Sequence, residues 1–146
     1  MPERETLERA DLDKREGKSP STQAGEFVRE EMHHVREGKH GAASTKQAIA
    51  IGLSKARRAG VDLPPPRGGS ARTRKQAARD RSKARRRTKP SRRRSRAVTQ
   101  ALRRKGRSAA SHLALARQAK QTARRRGARA RSRSAKRAAR TRKRAA

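Results

Sequence analysis

The charge of this chain is split along its length, and the split limits what each half can fold into. Residues 1–63 hold 12 Lys/Arg against 11 Asp/Glu, a net of +1, whereas residues 64–146 hold the other 33 Lys/Arg against a single acid, Asp80, a net of +32. Like charges at that density repel one another, so the second half resists collapse until a polyanion neutralises it. Its only large aliphatics are Val98, Leu102, Leu113 and Leu115, too few for a core. The chain has one aromatic residue, Phe27, and 39% of its residues are charged, which lies on the disordered side of the charge–hydrophobicity balance. The expected fold class is therefore all-α: an N-terminal helical hairpin followed by a largely disordered or conditionally helical Ala/Arg/Lys-rich tail, with no compact large core.

Punctuation along the chain predicts the organisation. Residues 1–21 are polar, with only Leu7 and Leu12 as large apolars, and read as a mobile arm ending at Ser19-Pro20-Ser21-Thr22. A helix capped by Ser21 or Thr22 runs to about Glu37 and closes at Gly38, with Phe27, Val28, Met32 and Val35 as its apolar stripe. A second helix occupies Ser44–Gly60. Ser44 and Gln47 form a capping box, Arg57 and Arg58 sit in the last turn, and Gly60 is placed for a left-handed close. The short connection Lys39–Ala43 favours antiparallel packing, so Phe27, Val28, Met32 and Val35 are expected to face Ile49, Leu53 and Ala56. Val61 and Leu63 fold back over the open end. The 22–63 hairpin is small enough that docking of a tail helix, or dimerisation, would help it. Pro64-Pro65-Pro66-Arg67-Gly68-Gly69-Ser70 reads as a stiff-then-flexible hinge over 64–70. In the tail, 71–146, segments of helical propensity (about 71–88, 92–105, 109–126 and 129–145) are separated by Pro90, Gly106 and Gly127.

The expected chemistry is phosphate binding without sequence choice. Each cation that displaces a counterion adds to affinity and to its salt dependence, and arginine favours bidentate phosphate contact. The candidate nucleic-acid-binding residues are Lys55, Arg57 and Arg58 in the hairpin and the basic runs of the tail. Those runs are the block 84–87 (Ala84, Arg85, Arg86 and Arg87, whose three arginines carry its charge), Arg92, Arg93 and Arg94, Arg103, Arg104 and Lys105, Arg124, Arg125 and Arg126, Arg131 and Arg133, and Arg140, Arg142, Lys143 and Arg144. Stacking aromatics, which dominate single-strand recognition, are missing from the tail, which favours DNA over RNA; the doublets Arg94-Ser95 and Arg131-Ser132-Arg133-Ser134 resemble RNA-binding arms and keep RNA open. Use of the second helix as a base-reading element is disfavoured, since its arginine pair lies at the wrong end.

Other classes find little support. With no cysteine there is neither a disulfide framework nor a thiolate metal site. His33, His34 and His40 read as surface histidines, with Glu30, Glu31 and Glu37 pairing instead with Arg29, Arg36 and the tail; no metal and no cofactor are expected. No nucleophile–base pair or phosphate-cradling glycine loop is present, so the chain reads as no enzyme. The opening MPERETLERADLDKREG lacks the apolar core of a secretory signal, and no apolar run is long enough to span a bilayer. A cytoplasmic, nucleoid-associated protein with no membrane partner is expected, with a homodimer through the hairpin as one possible assembly.

The run TQAGEFVREEMHHVREGKHGAASTKQAIAIGLSKARRAGVDLPPP, residues 22–66, resembles a family of small basic bacterial proteins of uncharacterised function, some labelled as plasmid stabilisation proteins. SRRRSRAVTQALRRKGRSAASHLALARQAKQTARRR, residues 91–126, is similar to the same family's downstream region. EGKHG and STKQAIAIGLSKARRAG carry the resemblance, which brings no catalytic or binding residue with it. It implies plasmid maintenance. The Ala/Arg/Lys tail looks like those of histone-H1-like nucleoid proteins in composition. Together these suggest a non-enzymatic DNA-binding protein acting by phosphate neutralisation, with an RNA- or ribosome-associated protein, or a protein-interaction module with an avidity tail, as alternatives.

Overall fold

A computed structural model describes residues 2–86 and 91–145. It is all-α: α1 (Arg4–Arg15), α2 (Pro20–Arg36), α3 (Thr45–Arg58), α4 (Ala71–Arg86), α5 (Arg92–Arg103), a 3₁₀ turn (Ser108–Ala110) and α6 (His112–Ala145). The chain divides into one compact unit up to Ser111 and another from His112 onward. The expected disordered tail is thus corrected. The basic half is helical in α4, α5 and α6, and the predicted breaker Gly127 (φ 70°) interrupts α6 as a kink between two helical segments rather than ending the order. Ala and Arg are both strong helix formers, and each like-charge pair at i,i+4 opposes them by only a few tenths of a kcal/mol. Propensity wins. Pro90 and Arg87 lie outside the described residues.

The helix ends show how local sequence sets the first unit. Ser19 caps α2, accepting from the Thr22 N–H at 3.4 Å, and Pro20 fills the first helical position. The helix therefore starts before the expected Ser21/Thr22 cap, because proline's missing N–H costs nothing there. Ser44 Oγ accepts from Gln47 N–H at 3.2 Å, and Gln47 Oε1 reaches back to the Ala43 N–H at 2.7 Å, one residue beyond the capping-box partner. Gly38 and Gly60, at φ 79° and 102°, close α2 and α3. After Gly60, the Val61 N–H returns to the Ala56 carbonyl at 3.1 Å, which turns Val61 inward as expected.

The core is built on Phe27 and small residues. Ala10, Ala24, Phe27, Ala56 and Val61 form a buried cluster, with Leu53 and Leu63 packed against it. The buried face of α3 is Thr45, Ala48, Gly52 and Ala56, while Ile49 and Leu53, expected at the centre, are half-buried. Gly52 is the reason. A Cβ there would stand 2.7 Å from Val28 Cα, so the two backbones approach closely and the aliphatics are turned to the flanks.

Within the expected mobile arm of residues 1–21, Arg4–Arg15 instead form the packed helix α1. Thr6, Ala10 and Asp13 are the buried positions of α1, and Leu7 and Leu12 stay largely exposed; small residues, not the leucines, make its contact face with α2. The Glu3 N–H donates to Glu30 Oε2 at 3.0 Å. The 64–70 stretch does not separate a folded part from a free one either, because α4 docks back on α3. The 3₁₀ turn closes the unit, with Ala109 and Ala110 buried. Thr45 Oγ1 donates to the Ala109 carbonyl at 2.6 Å and Arg36 Nε to the Ala110 carbonyl at 2.8 Å. Among the described residues no helix is long and apolar enough to cross a membrane.

Candidate nucleic-acid interface

Asp80 decides which side of α4 faces outward. The one acid of the basic half is 1% exposed and holds three partners: Ser54 Oγ at 2.7 Å, Arg58 Nε at 2.9 Å and Gln76 Nε2 at 3.2 Å. Ala77 is buried beside it, and Arg81 is drawn to Asp62. Because this side is fixed against α3, the other side is fixed towards solvent. It carries Arg72, Lys75, Arg79, Lys83 and Arg86, all exposed. At 100° per residue those five cations share an arc of about 80°, along a stripe about 21 Å long.

Two further cationic faces follow the same helical logic. On α5, Arg92, Arg93, Arg96 and Arg103 are exposed and occupy an arc of about 100°, with Val98 and Leu102 away from it. The C-terminal end of α5 is anchored: the Leu102 carbonyl accepts from Gly41 N–H at 3.0 Å, and the Gly106 carbonyl from Ala42 N–H at 3.1 Å. Gly41 is required for that contact, since a Cβ there would lie 1.9 Å from the Lys105 carbonyl oxygen. In the second unit, after the Gly127 kink, Arg129, Arg133, Lys136, Arg140 and Lys143 are exposed within an arc of about 80°, at nearly the spacing of the α4 stripe. The kink is braced by Arg126 Nη2 to Ser134 Oγ at 2.7 Å and Arg131 Nη1 to the Ala123 carbonyl at 3.0 Å.

The sequence-predicted residues sort into three groups. Lys55, Arg57 and Arg58 are engaged by partners within the first unit, Lys55 and Arg57 with little exposure and Arg58 with its side chain 45% exposed. Lys55 Nζ lies 3.1 Å from Glu30 Oε1 and 2.8 Å from Glu31 Oε2; burial pulls its pKa down, but those carboxylates outweigh it and the net shift is upward. Arg57 is buried, with Nε on the Leu63 carbonyl at 3.2 Å, and burial lowers its pKa. Arg58 holds Asp80. Exposed on cationic faces are Arg86, Arg92, Arg93, Arg103, Arg133, Arg140 and Lys143. Exposed beside those faces or at helix ends are Arg94, Arg104, Lys105, Arg124, Arg125, Arg126, Arg131, Arg142 and Arg144. Ala84 carries no charge and is half-buried; Arg87 and the Arg85 side chain lie outside the described residues. Reading by local charge density missed Arg72, Lys75, Arg79, Lys83, Arg96, Arg129 and Lys136. Helical periodicity of the cations alone finds them.

A second charged cluster lies between α1, α2, α3 and the α2–α3 connection. Glu30 and Glu31 are buried at 5% and 0% exposure. His34 Nε2 and Lys39 Nζ meet Glu3 Oε1 at 2.8 and 3.0 Å, and these two contacts, His34 first, hold the Glu3 carboxyl at a pKa of about 2. His40 Nε2 lies 3.2 Å from Glu31 Oε1. The expectation of surface histidines beside glutamates paired to Arg29 and Arg36 is therefore corrected for His34, His40, Glu30 and Glu31. His33 is exposed as expected. The signal available in sequence was the i,i+3 pair Glu31 and His34, with His40 following the Gly38 turn.

The model of a family of unknown function (DUF6496) matches residues 18–67, the segment that forms α2, α3 and the chain leaving them. The similarity to a family of unknown function thus stands for that segment, and the match does not extend to 91–126. No curated protein and no solved structure matches the chain.

Proposed function

We propose that this protein is a non-enzymatic nucleic-acid-binding protein that lays cationic helix faces along the phosphate backbone of duplex DNA, without choice of sequence. The observation that carries this reading is the α4 stripe. Its five cations stand on a side turned away from the buried Ala77 and Asp80, so their backbone positions are set before binding and only the side chains remain to be ordered. Side-chain cations 3–4 residues apart advance about 4.5–6 Å along a helix, a spacing suited to repeated phosphate contacts. In free protein these neighbours repel; phosphates between them remove the repulsion, so binding and helix stability reinforce each other. The basic half adds no exposed acid to oppose a polyanion, since Asp80 is buried and paired. The scarcity of aromatic residues argues for a duplex rather than a single strand. A nucleoid-associated or plasmid-maintenance role is the biological setting this binding would serve.

The test is binding to duplexes of unrelated sequence at several salt concentrations, beside Arg72→Gln/Arg79→Gln/Lys83→Gln. Similar affinities on all duplexes, with a weaker salt dependence in the triple variant, support the reading. Strong preference for one sequence, or a triple variant indistinguishable from wild type, sinks it. In cells, release of the protein by RNase and not by DNase would move the assignment to RNA.

A further inference from the structure

The buried cluster at the α2–α3 connection has a feature that nucleic-acid binding does not use. One ligating atom from each of Glu31, His34 and His40 lies within 4.8 Å of the other two. Glu31 is fully buried and neither of its carboxylate oxygens makes an aligned hydrogen bond, although Lys55 Nζ lies 2.8 Å from Oε2 and His40 Nε2 lies 3.2 Å from Oε1. A carboxylate with that much desolvation favours a cation beside Oε1. The 3.2 Å separation is also informative. Two ligands each about 2.0–2.1 Å from a tetrahedral ion stand about 3.3 Å apart.

The outer nitrogens of both imidazoles are already held. His40 Nδ1 lies 3.2 Å from the Gly41 carbonyl, an acceptor for a proton on that nitrogen, while Nε2 faces Glu31. His34 Nε2 is 2.8 Å from Glu3 Oε1, a carboxylate–histidine contact, so Nδ1, which lies 3.9 Å from Glu30 Oε1, is the nitrogen left to ligate. An acceptor behind each imidazole is the arrangement that orients metal-bound histidines and raises their basicity. Charge agrees. Glu3, Glu30 and Glu31 face only two ammonium groups, Lys39 and Lys55, and Lys39 is shared with Glu37.

From this geometry we propose that Glu31, His34 and His40 form a binding site for a divalent transition-metal ion of the Zn²⁺ class, with its fourth position open. Imidazole and carboxylate donors suit that class. The site ties α2 to the connection whose Gly41 receives the end of α5, so a bound ion stiffens the segment that positions one cationic face. The inference stands apart from nucleic-acid binding, and its test contains no nucleic acid.

Metal-stripped full-length protein is titrated with Zn²⁺ alone by calorimetry, and with Co²⁺ followed by visible absorption. Wild type and the His33→Ala/His112→Ala control are expected to bind one equivalent alike, with the intense Co²⁺ bands of a low-symmetry four-coordinate site. His34→Gln and His40→Ala are expected to lose at least 10-fold in affinity while far-ultraviolet circular dichroism stays unchanged. Absence of a one-equivalent site in wild type, octahedral Co²⁺ bands, or full affinity in both triad variants overturns the proposal. Should a triad variant unfold, the wild-type Co²⁺ spectrum and the control variant decide it unaided.

Discussion

Individual residues do unusual amounts of positioning in a chain with so little apolar mass. Asp80 is the clearest case. Its removal leaves Arg58, Ser54 and Gln76 without their shared acceptor; the Arg58 side chain is 45% exposed and turns to water, so the loss is that of the buried hydrogen bonds, about 1–3 kcal/mol. Asp80→Ala is therefore expected to lower the denaturant midpoint of the first unit strongly, while Asp62→Ala, which breaks only the exposed pair with Arg81, changes stability by less than about 1 kcal/mol. Equal effects of the two would show that Asp80 does not hold α4. Gly52→Ala places a methyl 2.7 Å from Val28 Cα and is expected to cost about 1–3 kcal/mol by overpacking, despite alanine's better helix propensity. A neutral or stabilising result in equilibrium unfolding would mean that α2 and α3 do not approach at Gly52. The sequence shows Gly52 and Asp80 plainly but not their roles. A glycine inside a helix pattern and a lone acid in a basic tail acquire meaning only from the element across from them.

At the scale of elements, capping chemistry was legible and packing faces were not. Ser44, Gly38 and Gly60 mark helix ends through local hydrogen bonding, which needs no tertiary information. The face a helix buries depends on how near its neighbour comes. On α3 that made Thr45, Ala48, Gly52 and Ala56 the inner row in place of Ile49 and Leu53, and on α1 it put Ala10 inside while Leu7 and Leu12 stayed out. The cationic faces are an element-scale property too, hidden by runs such as Arg124-Arg125-Arg126 that catch the eye but spread around the helix. Salt dependence separates the two descriptions. Replacing Arg72, Arg79 and Lys83 by glutamine is expected to make the slope of log K against log salt shallower by about 2–3, near 0.9 for each lost phosphate contact. Arg58→Gln, which disturbs the Asp80 anchorage, is expected to lower stability, and because the Arg58 guanidinium is held by Asp80 it is expected to change the slope less than a stripe substitution. If Arg58→Gln reduces the slope as much as a stripe substitution, binding does not run along the outward face.

For the whole molecule, the charge split remains the organising fact, but its structural meaning is changed. Residues 64–146 carry +32 and are expected to resist order until neutralised; instead α4 and the end of α5 are held to the N-terminal helices, and α6 is helical with its cations exposed. Repulsion spread over many exposed pairs is weak beside Ala/Arg propensity and a few anchored contacts. Circular dichroism of the full chain without nucleic acid is accordingly expected to show most of the final helix content, with little gained on adding DNA; a large gain would return the basic half to a coil that folds on binding. The central claim concerns how the molecule meets a polyanion, and one measurement addresses it directly: the salt dependence of wild-type affinity for two duplexes of equal length and unrelated sequence. One stripe of five cations seated on phosphates gives a log–log slope of about −4.5, so slopes of about −4 or steeper, equal on both duplexes, are expected. A shallower slope, or affinities that differ more than about tenfold between the duplexes, would contradict phosphate neutralisation by cationic helix faces.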